Sequence, residues 1–105
     1  MGFEADKKIR KFLTSLERNF SPIKVILFGS RARNDWLLES DYDFILVSEK
    51  FSGTDFLLRA GAVFKKCGVR FAADVLCYTP EEFKTKSREI GVVREAVRTG
   101  KVLIR

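Results

Sequence analysis

The chain has 105 residues, 46% of them hydrophobic, and a formal net charge of +6. This length suits one domain spanning residues 1–105, and ten phenylalanines are enough for a hydrophobic core, which excludes wholesale disorder. No stretch is long and apolar enough to cross a bilayer, and residues 1–10 are charged rather than signal-like, so we expect a cytoplasmic protein with no membrane partner. The basic balance favours an anionic partner such as a nucleotide or a nucleic acid.

The first half of the chain predicts one helix and two strands. Apolar side chains recur at helical spacing in residues 5–20, which indicates an amphipathic helix that ends near Ser21-Pro22. The β-branched apolar run at residues 23–29 predicts a buried strand closed by glycine. Residues 41–48 predict a second strand.

The second half predicts further helices and strands. A turn at residues 52–54 leads into a predicted helix over 55–66, which Gly68 should end. Residues 69–78 predict a third strand, and Thr79 followed by Pro80 is typical of a helix start. A last helix is predicted over residues 88–99, ending at Gly100, followed by a short edge strand at 101–105. This order predicts an α/β (α+β) fold, a small mixed β-sheet with helices packed on it.

The two cysteines, Cys67 and Cys77, lie among apolar residues in a chain without histidine. Two thiolates cannot complete a zinc site without other ligands. We therefore predict that both are small buried side chains in a reducing compartment.

Asp41 and Asp43 alternate along the second predicted strand, so their side chains should point to the same face. Tyr42 and Phe44 should then point to the core on the other face. Two carboxylates this close repel each other unless a cation lies between them, and oxygen ligands suit Mg²⁺ or Mn²⁺. Alone, however, this pattern favours a solvated turn at the start of a strand.

Gly29 and Ser30 change this interpretation. Gly29 lets the backbone approach a ligand closely, and Ser30 offers a hydroxyl at the start of a predicted short helix, whose free N–H groups attract phosphate. Arg31 and Arg33 could form paired hydrogen bonds to phosphate oxygens. Surface salt bridges from these arginines to neighbouring acidic residues explain them equally well.

The sequence "GSRAR" followed by "SDYDF" resembles the signature of the DNA polymerase beta-like nucleotidyltransferase superfamily, and is closest to its stand-alone minimal nucleotidyltransferases (MNT type). This resemblance covers nearly the whole chain. It implies the nucleotidyltransferase fold of that superfamily and a third carboxylate on a neighbouring strand, for which Asp74 is the match. It also implies two Mg²⁺ ions, with Mn²⁺ as a substitute, held by Asp41, Asp43 and Asp74, and phosphates of ATP or another nucleoside triphosphate held at Gly29 and Ser30.

Minimal members of this superfamily are commonly paired with HEPN-type proteins. The resemblance therefore implies an antitoxin that attaches AMP to a tyrosine of a toxin partner, with nucleic acid not required. Because the chain leaves no length for an acceptor domain, the acceptor should bind in trans or through a homo-oligomer. The alternative is a non-catalytic module that binds nucleotide or neutralises its partner. A metal-dependent glycosyltransferase also uses Asp-x-Asp, but its domain is much larger and Gly29-Ser30 would be unexplained.

One apolar segment, Trp36-Leu37-Leu38, falls in a connection that is generally polar in this superfamily. It could pack against the first helix, or it could form an exposed patch on which a partner docks. Both interpretations stay open at this point.

Overall fold

The chain forms one four-stranded mixed sheet, seen in a computed structural model that describes residues 3–29, 42–69, 71 and 73–105. The strand bounds are Ile23–Phe28 for β1, Tyr42–Ser48 for β2, Ala73–Tyr78 for β3 and Lys101–Ile104 for β4. The strands lie in the order β3-β2-β1-β4. Strand β1 pairs antiparallel with β2 and with β4, whereas β2 and β3 are parallel. The expected mixed sheet and its edge strand are confirmed.

Helices cover both faces of this sheet. Their bounds are Phe3–Phe20 for α1, Phe56–Cys67 for α2, Pro80–Arg88 for α3 and Val92–Thr99 for α4. Helices α1 and α2 pack on one face, which we call the aromatic face, and α3 and α4 pack on the other. Within the described ranges, no helix has the length and apolar character needed to span a membrane.

The aromatic face is built around Phe12 of α1, whose ring is fully buried. Its centroid lies 5.5 Å from that of Phe44 on β2 and 5.1 Å from that of Phe71, which meets it edge-on. Buried Ser48 joins the same helix to β2, because its hydroxyl donates a 2.7 Å hydrogen bond to the carbonyl of Phe20 at the end of α1. These contacts fix where α1 crosses the sheet.

The opposite face buries Ile26, Ile45, Val47 and Tyr78 of the sheet against α4. Gly100 ends α4 as predicted and leads directly into β4. A methyl group at Gly100 would lie 2.8 Å from the carbonyl oxygen of Leu27. Glycine is therefore needed at this position, because the end of α4 passes very close to strand β1.

Several predicted helix ends are confirmed. Gly68 closes α2 in a left-handed conformation (φ 67°), and its N–H donates to the carbonyl of Phe64. Thr79 and Pro80 begin α3, where the Thr79 hydroxyl and the Glu82 carboxylate form a reciprocal capping box.

Two predicted boundaries are wrong. The third strand begins at Ala73 rather than at residue 69, because Phe71 is packed against the core aromatics ahead of the paired residues. The predicted helix over 88–99 is interrupted: α3 continues to Arg88, and α4 begins only at Val92. Glu89 has extended backbone (ψ 148°) and its N–H donates to the carbonyl of Lys86, which closes α3.

The cysteine prediction holds for one of the two thiols. Cys77 is buried, whereas Cys67, in the last turn of α2, is only half-buried. Cys67 differs because a residue at the end of a helix is covered on fewer sides. Burial raises the pKa of the Cys77 thiol to about 12, so this group stays protonated near neutral pH.

An ion pair between a buried arginine and a partly exposed glutamate ties α2 to the start of α3. Arg59 is 5% exposed, and its guanidinium donates to both carboxylate oxygens of Glu82, at 2.6 and 3.3 Å. Further hydrogen bonds run from Arg59 to the carbonyls of Thr54 (2.8 Å) and Cys77 (3.1 Å). One side chain thus joins the loop before α2, the end of β3 and the capping box of α3. We call this set the Arg59 clamp.

We expect Glu82→Ala to destabilise the fold, because it leaves the buried guanidinium without its carboxylate. The side chain of Glu82 is 44% exposed, and solvent screening limits the loss to about 1.5–2 kcal/mol in the free energy of unfolding. Glu81→Ala is the matched control, since Glu81 is exposed in the same helical turn, and it should cost at most about 0.5 kcal/mol. Urea denaturation of the two variants measures the difference, and equal losses would contradict the clamp.

The same pair makes stability depend on pH. Hydrogen bonds from Arg59 hold the pKa of Glu82 below its ordinary value of 4.5. A carboxylate with a lowered pKa in the folded state contributes stability above its ordinary pKa, and that contribution is lost as the pH falls through the lowered value. The stability gap between wild type and Glu82→Ala should therefore be constant from pH 5 to 7 and should narrow below pH 4.5. A gap that stays constant down to pH 2 would contradict this assignment.

Candidate active site

Two of the predicted carboxylates lie side by side on the sheet. Asp43 is the second residue of β2, Asp74 is the second residue of β3, and the two are register partners. Partners on adjacent strands share a face and lie about 4.8 Å apart. Because Phe44 points to the aromatic face, Asp43 and Asp74 point to the opposite one. Asp43 is half-buried and Asp74 is exposed.

Gly29 follows β1 directly and contacts Asp43. Its backbone is left-handed (φ 79°), a conformation that glycine adopts without strain. A methyl group at this position would collide with a carboxylate oxygen of Asp43 and would lie 3.3 Å from the carboxyl carbon. The absence of a side chain at Gly29 is therefore what lets Asp43 take its present position.

Phe28 completes this row of the sheet and was not among the predicted site residues. It is the register partner of Asp43 on β1, so Phe28, Asp43 and Asp74 lie in line across three strands. Its ring is half-buried and packs against the cluster under α3 and α4. The sequence places Phe28 only in a buried strand, because its position beside Asp43 depends on the register between strands.

The other predicted site residues lie outside the described residues. Ser30, Arg31, Arg33 and Asp41 belong to this group, as does the segment Trp36-Leu37-Leu38. Their roles remain predictions. The structure thus brings together Gly29, Asp43 and Asp74.

Asp74 could have a structural role instead of a role at the site. A carboxylate among apolar residues could form a buried ion pair with an arginine. Asp74 is instead exposed, and among the described residues it makes no ion pair. The buried arginine of this region, Arg59, is paired with Glu82. Asp74 therefore has no ion-pairing role in this part of the chain.

The donor set fits a hard divalent cation. Two adjacent carboxylates on one face repel each other, and a cation between them removes that repulsion. Oxygen donors suit Mg²⁺ or Mn²⁺, which bind through one or two carboxylates together with substrate phosphates. The described residues contain no group of three histidine, cysteine or acidic side chains able to hold a metal. A third protein ligand would have to come from elsewhere, and Asp41 is the predicted one.

Comparison with known proteins defines the class. A family model for the nucleotidyltransferase domain matches residues 9–101, and the chain belongs to this family. The minimal-nucleotidyltransferase resemblance drawn from the sequence agrees with this match. Nucleotidyl transfer from a nucleoside triphosphate is the reaction class of such domains, which generally use divalent metal ions. A search of curated proteins gave no significant match.

Solved structures support the fold. A candidate nucleotidyltransferase from Sulfolobus solfataricus is 23% identical, with a TM-score of 0.56, over 93% of this chain and 74% of its own. A second candidate nucleotidyltransferase is 22% identical, with a TM-score of 0.55, over 76% of this chain and 87% of its own. At this level of identity the comparison establishes the shared fold.

We expect Gly29→Ala to cost more stability than the same change at Gly53. Both glycines have positive φ, 79° and 88°, but nothing lies within 4 Å of a methyl group at Gly53. Gly53→Ala should therefore lower the free energy of unfolding by only about 1 kcal/mol, the cost of placing alanine in a left-handed backbone conformation. Gly29→Ala should lose about 0.5–1.5 kcal/mol more, because the Asp43 side chain must leave its rotamer. Equal unfolding free energies for the two variants would show that the Asp43 contact is unimportant.

Proposed function

We propose that the protein is a Mg²⁺-dependent nucleotidyltransferase that moves AMP from ATP to a hydroxyl group of a partner protein. The observation that carries this proposal is the pairing of Asp43 with Asp74 on one face of the sheet, beside Gly29. Family membership supplies the reaction class. The base of the nucleotide and the nature of the acceptor are parts of the proposal.

Each candidate site residue has a proposed role. Asp43 and Asp74 would hold the divalent ions, together with Asp41. The backbone at Gly29, with Ser30, would hold the β- and γ-phosphates, and Arg31 and Arg33 would add positive charge there. When bound, two such ions neutralise the triphosphate and make the acceptor hydroxyl easier to deprotonate. Mn²⁺ would serve in place of Mg²⁺ because it accepts the same oxygen ligands.

The transfer exchanges one phosphorus–oxygen bond for another. The acceptor oxygen forms a bond to the α-phosphorus, and the bond from that phosphorus to the bridging oxygen of pyrophosphate breaks. Asp74 would accept the hydroxyl proton, which its exposed carboxylate can pass on to solvent. No histidine is needed, in agreement with a chain that has none.

The acceptor is proposed to lie on a HEPN-type partner, with the pair acting as toxin and antitoxin. Support for this comes from the resemblance of "GSRAR" and "SDYDF" to minimal nucleotidyltransferases. The acceptor site would then be completed by the partner or by a second copy of the chain.

Mg²⁺ with ATP should raise the melting temperature of the wild-type protein, since a ligand that binds only the folded state stabilises it. Asp74→Asn should abolish this shift without lowering the melting temperature of the free protein, because Asp74 is exposed and its charge repels that of Asp43. Asp55→Asn, another exposed aspartate, is the control and should keep the shift. An undiminished shift in Asp74→Asn would remove this residue from the metal site.

Transfer itself is tested with ATP radiolabelled at the α- or the γ-phosphate, in the presence of Mg²⁺ and the protein encoded by the neighbouring gene. Only the α-label should become attached to the partner, because the γ-phosphate leaves in pyrophosphate. Asp74→Asn should reduce labelling by about 100-fold or more. Binding of Mg²⁺-ATP without any labelling would favour the non-catalytic alternative.

A further inference from the structure

The outward side of α1 carries a row of positive charge. Phe12 and Leu16 on the inner side are fully buried, whereas Lys7, Lys11 and Arg18 are exposed. At 3.6 residues per turn these three positions fall within about 40° of one another around the helix axis. At 1.5 Å per residue the row extends over about 16 Å.

This row borders an open groove of about 820 Å³ between α1 and the turn that follows α2. The turn contributes Cys67, Gly68 and Val69, and α1 contributes Thr14 and Ser15. The cations along the groove are Lys7, Lys8, Arg10, Lys11 and Arg18. Among the described residues no carboxylate lines it, and Arg10, Lys11 and Arg18 form no ion pair there. The groove therefore concentrates positive charge.

The arrangement suits a polymer of phosphates. A site for one phosphate brings its donors together at a point, whereas these cations are spread along the helix. A flexible single strand carries regularly spaced negative charges and can follow a groove of this length. No aromatic residue lines the groove among the residues described, so stacking on bases is not provided there. Contacts would be to the backbone, without sequence preference.

We propose that this groove binds the sugar–phosphate backbone of a single-stranded nucleic acid. It is distinct from the candidate active site, because α1 packs on the aromatic face and Asp43 and Asp74 lie on the other. Binding here needs lysine and arginine rather than a metal ion. The proposal is therefore independent of the nucleotidyl transfer proposed above.

The test uses fluorescence anisotropy with fluorescein-labelled 20-mers of oligo(U) and oligo(dT), in EDTA, over a range of salt concentrations. The variant is Lys11→Gln with Arg18→Gln. The matched control is Arg94→Gln with Arg98→Gln, which removes the same charge from exposed positions of α4. Thermal melting of both double variants checks that the fold is retained.

We expect the wild type and the α4 control to bind both oligomers. The groove variant should bind about 25-fold more weakly at 0.1 M salt, and its log–log salt slope should fall by about 1.4, the value for two lost contacts to a single strand. Equal weakening in the control, or no binding by the folded wild type, would overturn the proposal. A second experiment measures binding to vesicles of phosphatidylcholine and phosphatidylserine. Binding to these vesicles without binding to either oligomer would show that the groove binds membranes and would refute the proposal.

Discussion

The candidate active site depends on one constraint, the parallel register between β2 and β3. Asp43 and Asp74 face the same side only because they are direct partners in this pairing. A slip of one residue would turn Asp74 to the aromatic face. Such a slip is opposed by packing on both faces of β3, where Val75 and Cys77 face the aromatic side and Tyr78 faces the other. The core therefore positions the two carboxylates although neither belongs to it.

Stability and chemistry are concentrated at different ends of β3. Asp74 lies near the start of this strand and is exposed, whereas the Arg59 clamp holds the strand's other end through the carbonyl of Cys77. The clamp also orders the start of α3 through Glu82. The Arg59–Glu82 ion pair acts at the opposite end of the strand from Asp74. The stability of the fold therefore does not depend on Asp43 and Asp74, which can lie side by side although both are negatively charged. This separation is why the fold should tolerate substitution of Asp74.

The sequence predicts features that depend on nearby residues. The strands, the helix end at Gly68 and the helix start at Thr79 follow from local patterns, and the expected face of Asp43 follows from strand alternation. The prediction that Asp74 lies on a strand beside that of Asp43 came from the family resemblance and not from a local pattern. The Arg59 clamp was missed, because an arginine in an amphipathic helix is ordinarily solvated and its partner Glu82 lies 23 residues away. Phe28 was missed as a site neighbour because only strand register reveals it.

The two sides of the sheet present opposite chemistry to phosphate. At Asp43 and Asp74 the two carboxylates supply negative charge, so a triphosphate can approach them only when cations intervene. Along α1 the protein itself supplies the positive charge. The net charge of +6 does not reveal this local difference, because it is a sum over the whole chain. Metal removal should therefore act on the carboxylate side and salt on the helix side, so that a phosphate ligand's response to EDTA and to salt identifies where it is bound.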